Sequence, residues 1–267
     1  MLSVNPPISL CTTVHDPDAR LTPLLLAHAR ALTKQYGSVH VSATNVTDAD
    51  LIIRLRDLGA LVDTWAGSEI GTARRNVVAS AARINSNPVL YCDFDRWLHW
   101  QSTYPDELLE LPSRLFHDHP NAWFVCLGRT RSAFETHPRV QRDTETLSNL
   151  VATIALGTDL DVTAGACLIT ANGARIIVSQ STEVSNATDG EWPAIIWKSG
   201  SDRVAGILCE GLEFETATFY TKEISDHGGR ASWEAATYDS TASWARRMAL
   251  ASATASAIAR VVDPNRA

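Results

Sequence analysis

Apolar and polar positions along the first half of this chain switch between two periods in a regular way. Ile8 to Val14 is an apolar run of strand length, and Leu21, Leu25, Leu32 and Tyr36 then recur on one helical face that ends before Gly37. A glycine just past the last periodic residue is a helix-stop signal. His28 interrupts the stripe and is expected to be a satisfied, partly buried side chain. Val39, Val41 and Ala43 alternate as a second strand. Thr47-Asp48-Ala49-Asp50 resembles a capping box with Asp in place of Glu, and it opens a helix through Leu51, Ile52, Leu55 and Leu58 that stops at Gly59. A third strand, Ala60 to Trp65, leads through the loop Ala66 to Gly71 into a third helix, Thr72 to about Ile84, and so to Pro88-Val89-Leu90-Tyr91-Cys92-Asp93-Phe94-Asp95. This β-α-β-α-β-α-β order predicts an α/β fold with a Rossmann-like, mostly parallel central sheet flanked by helices.

The continuous apolar run from Val89 to Cys92 reads as a strand buried on both faces. Asp93 and Asp95 at its end are expected to project the same way, because strand side chains alternate with period two. Two like charges so close call for a cation, and an oxygen-only ligand set completed by water and phosphate suits magnesium or manganese. A chance D-x-D at a strand-to-loop junction reads the same way, since aspartate is common in turns. Ligands of open parallel sheets bind beyond the carboxyl ends of the strands. Four junctions reach that edge: His15-Asp16, Thr44-Asn45, the Gly67 to Gly71 loop, and Asp93 to Asp95.

The second half is less regular. Trp123 to Leu127, Val162 to Ile169 around Gly165, and Val204 to Cys209 read as strands, Leu147 to Leu156 as a helix, and Thr241 to Val262 as a long alanine-rich helix. Nothing divides the chain, so one domain over 1–267 is expected, with a nucleotide-side half to about residue 128 and an acceptor-side half beyond it.

Composition narrows the classes. A formal charge of −7 with no Lys/Arg block argues against general nucleic-acid binding. The five cysteines lack C-x-x-C spacing and sit in apolar stretches, which predicts free buried thiols in a reducing, cytoplasmic setting. Met1 to Pro7 has no basic segment followed by an apolar core, and no run is long enough to span a bilayer.

Other candidates are Arg74 and Arg75, expected in the first turn of the third helix, where cations oppose the helix dipole and invite an anion. Solvated arginines at a frayed helix start would look alike. Thr188-Asp189-Gly190-Glu191-Trp192-Pro193 reads as a turn in which Asp189 or Glu191 can act as general base and Trp192 can stack on a sugar; an ordinary acidic turn is the alternative. His227, in a glycine-flanked loop, is a candidate third metal ligand or simply an exposed residue. Glu210 to Glu215 reads as a solvated strand edge, with a role at the acceptor site as the alternative, and Gly128 to Arg131, directly after a strand, as a phosphate or carboxylate contact.

Together, His15-Asp16, Gly71-Thr72-Ala73-Arg74-Arg75-Asn76 and Val89 to Asp95 resemble the N-terminal half of a GT-A-fold glycosyltransferase of the nucleotide-diphospho-sugar transferase superfamily. The resemblance implies a metal-dependent transferase with a nucleotide-diphospho-sugar donor and a small-molecule or glycan hydroxyl acceptor. It places Asp16 and Asn45 near base and ribose, Arg74 and Arg75 near the diphosphate or donor sugar, Asp93 near ribose or sugar and on the metal, and Asp95 on the metal, with His15 and Gly71 among the nucleotide-sugar-binding residues. Thr163-Ala164-Gly165-Ala166 resembles the segment under the donor sugar, and Asp189 and Glu191 the acidic acceptor motif of inverting members. Retaining members, such as those that make mannosylglycerate, need no such base and would use a histidine such as His227 on the metal. The rival readings of the D-x-D are an aspartyl-nucleophile phosphohydrolase, a nucleotidyltransferase, and a non-catalytic nucleotide-sugar-binding protein.

Overall fold

A single seven-stranded sheet in the order β3-β2-β1-β4-β6-β5-β7 organises the molecule. The structure is a computed structural model that describes residues 8–66, 69–84 and 87–263. Gly67 and Ser68 of the loop considered above, and the N-terminal segment to Pro7, lie outside the described residues. The first half runs β1 (Ser9–Val14), α1 (Thr22–Gln35), β2 (Ser38–Thr44), α2 (Ala49–Asp57), β3 (Leu61–Trp65), α3 (Ile70–Ile84) and β4 (Val89–Cys92). It continues with α4 (Phe94–Thr103), α5 (Pro105–Asp118), β5 (Phe124–Arg129), α6 (Arg131–Glu135), α7 (Arg139–Leu156) and β6 (Ala166–Ile169). The rest is α8 (Ala171–Gln180), α9 (Thr188–Trp197), β7 (Val204–Cys209), α10 (Thr216–Phe219), α11 (Thr221–Asp226), α12 (Arg230–Tyr238) and α13 (Thr241–Val262).

β1 pairs in parallel with β2 and β4, and β2 with β3, as the alternating first half predicts. The one reversal is β6, which runs antiparallel to both β4 and β5, while β7 is parallel to β5. Every residue of β1 and β4 is buried, because helices cover both faces. One apolar cluster joins Leu10, Leu25, Leu51, Leu90 and Trp97 on the side of α1, α2 and α4, and the other joins Val77, Val89, Ile177, Trp192 and Ile258 on the side of α3, α8, α9 and α13. Local signals place the ends: the Asp48 carboxylate accepts from Leu51 N at 3.0 Å to start α2, and Gly157 at φ 70° ends α7.

The sequence expectation fails at the end of β4. Its last pair is Cys92 with Ala166, because Gly165 before it turns at φ 68° and offers no further ladder partner. Phe94, Trp97 and Leu98 then carry helical spacing, all fully buried, so the chain turns at once into α4. Asp93 is the residue before that helix and Asp95 lies in its first turn, so the two carboxylates are not neighbours on one strand face. Residues 188–197 form α9 and not a turn, α3 begins at Ile70 so that Arg74 and Arg75 fall in its second turn, and residues 210–215 follow β7 as an irregular loop. His28 is half-buried and bonds Ser102 Oγ at 2.8 Å, as expected. All five cysteines are free and buried, and among the described residues no helix is long and apolar enough to cross a membrane.

Candidate functional site

The carboxyl ends of β1 and β4 lie side by side, and they bring Thr13, Tyr91 and Asp93 together. Asp93 Oδ1 accepts from Tyr91 Oη at 2.6 Å and from Thr13 Oγ1 at 2.7 Å, while Oδ2 accepts from Arg74 Nη2 at 3.2 Å. Arg74 reaches down from α3 with only 5% of its surface exposed. Its other terminal nitrogen, Nη1, donates to Asp189 Oδ1 at 2.6 Å and to Thr188 Oγ1 at 3.3 Å, at the start of α9. One guanidinium thus bridges two carboxylates from distant parts of the chain, a geometry that the rigid arginine fork favours. Gly165 closes the ring: a β-carbon there would stand 3.7 Å from Asp93 Oδ2 and 3.9 Å from Arg74 Nη2.

The electrostatics of the three acids differ. Burial works to raise Asp93, yet the Arg74 charge, the Tyr91 hydroxyl and Arg96 together hold its pKa below the ordinary carboxylate value. Burial pushes Asp189 up to about 6 despite Arg74. Asp95 is pushed up to about 7, first by burial and then by the like charges of Glu215 and Asp93. Glu215 itself pairs with Arg96, Oε1 to Nη2 at 3.1 Å, and its second oxygen is buried without a partner. Arg96 also donates to the carbonyl of Ala164.

Two cavities flank this cluster. An outer one of 480 Å³ is walled by Thr13, His15, Thr44, Trp65, Asp93 and Asp95. An inner one of 250 Å³ extends beneath α7 and α13 past Glu145, Gly165, Asp189, Glu215 and Arg247. Arg74, Asp93 and Asn186 line both, so the bridged pair stands at the passage between them.

Of the residues singled out in the sequence, the structure brings His15, Arg74, Asp93, Asp95, Gly165 and Asp189 to these walls. His15 is exposed, with Nδ1 3.0 Å from Thr44 Oγ1. Asp16 is spent on the backbone: its two oxygens accept from Arg20 N at 2.9 Å and Leu21 N at 3.0 Å, so it fixes the turn into α1 and faces no cavity. Asn45 is exposed past β2 and lines neither cavity, though its backbone amide reaches Trp65 O at 2.9 Å. Gly71 is a packing glycine, since a β-carbon would come within 2.6 Å of Ser185 O and 2.7 Å of Glu183 O. Arg75 turns away to Ser181 Oγ at 3.3 Å and the Glu183 carbonyl at 3.0 Å.

Glu191 is not at the site. It is 3% exposed, and it accepts from Ser181 Oγ at 2.5 Å, Thr182 N at 2.9 Å and Glu183 N at 3.0 Å, which pins the loop between α8 and α9. Two residues from Asp189 on a helix, it points elsewhere because such neighbours do not share a face. Trp192 beside it is a core residue, stacked edge-on to Tyr91. His227 ends α11, exposed, with Nδ1 2.7 Å from the Glu223 carbonyl, and lines neither cavity. Among the described residues, no group of three or more His, Cys, Asp or Glu side chains is arranged to hold a metal ion.

Sequence reasoning missed Arg96, Thr13 and Tyr91 as site residues, and it reached Glu215 only as the alternative reading of residues 210–215. Arg96 had a local signal, a cation directly after the acidic pair. For Glu215 the pattern could not choose, because an alternating acidic and apolar stretch reads equally well as solvated edge.

No family model and no curated protein sequence matches this chain. Solved structures do. Glucosyl-3-phosphoglycerate synthase from Mycobacterium tuberculosis, in complex with Mn2+, uridine-diphosphate-glucose and phosphoglyceric acid, superposes with a TM-score of 0.55 at 14% identity, over 76% of this chain and 69% of that one. The same enzyme with uridine diphosphate gives 0.54 at 14% identity over 81% and 79%. Its complex with Mn2+, uridine diphosphate and glucosyl-3-phosphoglycerate gives 0.54 at 15% identity over 76% and 69%. The chain has a GT-A-like fold, as the sequence resemblance implies.

Proposed function

We propose that this chain is a glycosyltransferase that moves a sugar from a nucleotide-diphospho-sugar to a hydroxyl acceptor, with Mn2+ or Mg2+ as cofactor. The observation that carries the reading is the Arg74–Asp93 pair at the passage between two cavities, beyond the carboxyl ends of β1 and β4. The outer cavity fits the nucleoside diphosphate, and the inner one fits the acceptor. The similar mycobacterial enzyme, whose structures hold uridine diphosphate with Mn2+ or Mg2+, supports a nucleotide donor used with a divalent ion.

The residues present suit a divalent ion. Asp95 stands among the like charges of Glu215 and Asp93, offset only in part by Arg96, whose backbone amide donates to Asp95 Oδ1 at 2.9 Å, and a buried oxygen of the neighbouring Glu215 has no partner. Asp95 would hold the ion with Glu215 beside it, oxygen donors of the kind magnesium and manganese take alongside phosphate and water. When bound, the ion neutralises charge that grows on the departing diphosphate. Arg74 fixes Asp93 where ribose and sugar pass, and the bare backbone at Gly165 leaves room for the sugar.

Asp189 is the group placed to take the acceptor proton. It faces the inner cavity with Oδ1 tied to Arg74, and a pKa of about 6 is close to the ideal for a base working near neutrality. Transfer should therefore slow as pH drops below about 6, when this carboxylate is protonated. Asp189→Asn should cost about 10²- to 10⁴-fold in kcat and remove the acidic limb of the pH–rate profile; a variant that keeps the full rate refutes the assignment.

A thermal-shift panel of nucleoside diphosphates and nucleotide sugars, with and without Mn2+, tests the reading as a whole. Selective binding raises the melting temperature by mass action, and the expected outcome is a metal-dependent rise with one nucleotide class. A folded sample that responds to no nucleotide would overturn it.

A further inference from the structure

The inner cavity has an unusual charge ledger, and it bears on which acceptor the transferase reading above should be given. Four arginines line it, and each is already matched. Arg129 gives Nε and Nη2 to Asp161 at 2.7 and 2.8 Å and Nη1 to Glu145 at 2.7 Å. Arg247 reaches the other Glu145 oxygen at 3.3 Å, Arg96 pairs with Glu215, and Arg74 bridges Asp93 and Asp189. Asp93, Glu145, Asp189 and Glu215 also line the wall, so the cavity carries as many formal negative charges as positive ones. A phosphate or carboxylate entering it would meet guanidinium groups whose charge is already matched and four carboxylates that repel it.

Beyond one Glu215 oxygen and the Nε atoms of Arg74 and Arg96, what stands free on the same wall is neutral. The His137 Nδ1 faces the Ala133 carbonyl at 3.1 Å; a carbonyl only accepts, so Nδ1 carries the hydrogen and Nε2 a lone pair. That Nε2 is buried with no partner, and burial, followed by the charges of Arg129 and Arg96, pushes the ring pKa down to about 2 and keeps it neutral. In the first turn of α7 the Gln141 carboxamide, and two turns further the Ser148 hydroxyl, on residues only 7% and 2% exposed, make no hydrogen bond to any described residue. They offer lone pairs and N–H or O–H donors together, the complement of hydroxyl groups, which both donate and accept. The rings of Phe214 and Tyr238, 5.8 Å apart, give the cavity an apolar side against which the C–H face of a sugar packs.

From these pairings we infer that the acceptor is a neutral polyhydroxyl compound, a sugar or polyol whose hydroxyls bond His137, Gln141 and Ser148, and not a phosphorylated or carboxylated one. This departs from the phosphoglyceric acid found with the similar mycobacterial enzyme. A cavity built to hydrogen-bond hydroxyls rejects compounds that leave its buried polar groups unpaired, so the discrimination should be strong.

The test gives the protein Mn2+ and a mixture of uridine-, guanosine- and adenosine-diphospho-sugars. Methyl α-glucoside, glycerol, D-glycerate and 3-phosphoglycerate are supplied as competing acceptors, and products are read by mass. The expected result is glycosylated methyl glucoside or glycerol in at least about tenfold excess over either acid. Predominant product on D-glycerate or 3-phosphoglycerate, or none on either neutral acceptor while the donor binds, overturns the inference. If no nucleotide binds, the transferase reading fails separately, and saturation-transfer NMR on the protein alone decides the cavity's preference: signal from methyl glucoside and none from 3-phosphoglycerate supports neutrality, and the reverse or no signal refutes it. Gln141→Leu should raise the acceptor KM at least about tenfold with the metal-dependent uridine diphosphate shift unchanged. An unchanged KM in that variant counts against the inference.

Discussion

Replacing Arg74 by alanine is expected to cost about 3–5 kcal/mol of stability, the range found when one partner of a buried ion pair is removed. The cause is specific. Arg74 is 5% exposed and is the bridge between Asp93, reached at 3.2 Å, and Asp189, reached at 2.6 Å. Without it two partly buried carboxylates keep only Arg96 as a nearby compensating charge, and the passage between the cavities loses its shape. The loss should depend on pH. Asp189 already has a folded pKa of about 6 against an ordinary value of 3.8, so its burial disfavours the folded state increasingly as pH rises through that window. Removing Arg74 raises it further, so the variant should regain stability from pH 8 down to pH 5 more steeply than the wild type. Denaturant midpoints at the two pH values measure this. A loss below about 1 kcal/mol that is flat with pH would show the bridge to be an ordinary surface pair. Arg74→Lys should fall between, because an ammonium cannot fork to both acids.

Asp95→Asn should have the opposite profile: an intact fold and no metal-dependent nucleotide binding. In the wild type, a uridine diphosphate–Mn2+ complex at a hundred times its Kd would stabilise by about 2.7 kcal/mol. That increment should vanish in the variant while its melting temperature without ligand at pH 8 stays level or rises, since the substitution removes a charge crowded by Glu215 and Asp93. In the wild type the increment should also shrink as pH falls below about 7, where a proton competes for Asp95. A variant that keeps the full Mn2+-dependent shift would take Asp95 off the metal.

Much of this architecture is legible in the order of residues, for identifiable reasons. β1 and β4 carry apolar runs because helices cover both faces, and the glycines after α1 and α2 mark their ends, so the parallel half can be read directly. Arg74, Asp93, Gly165 and Asp189 stand out as polar or glycine residues at strand ends and helix starts. Direction is what the pattern conceals. Asp16 sits at the edge where ligands bind, yet its carboxylate closes on two backbone amides, a competition that aspartate often wins locally. Asp189 and Glu191 look equivalent until α9 forms and separates them by two helical positions, one toward the cavity and one into the loop behind. The placement of Asp95 depends on Gly165, far along the chain, which stops β4 from pairing any further.

The reversed β6 also sets a timetable. Because β6 lies between β4 and β5, the outer strands cannot zip onto the nascent sheet one after another; β5 joins only once residues 166–169 have returned to pair with residues 89–92. That closure spans a long loop and carries its entropic cost before any reward. A chain emerging from the ribosome can therefore lay down β1 to β4 early, but Asp93 meets Gly165, and Arg74 meets Asp189, only once more than half of the chain has emerged. The charged passage is assembled late, on a scaffold already formed.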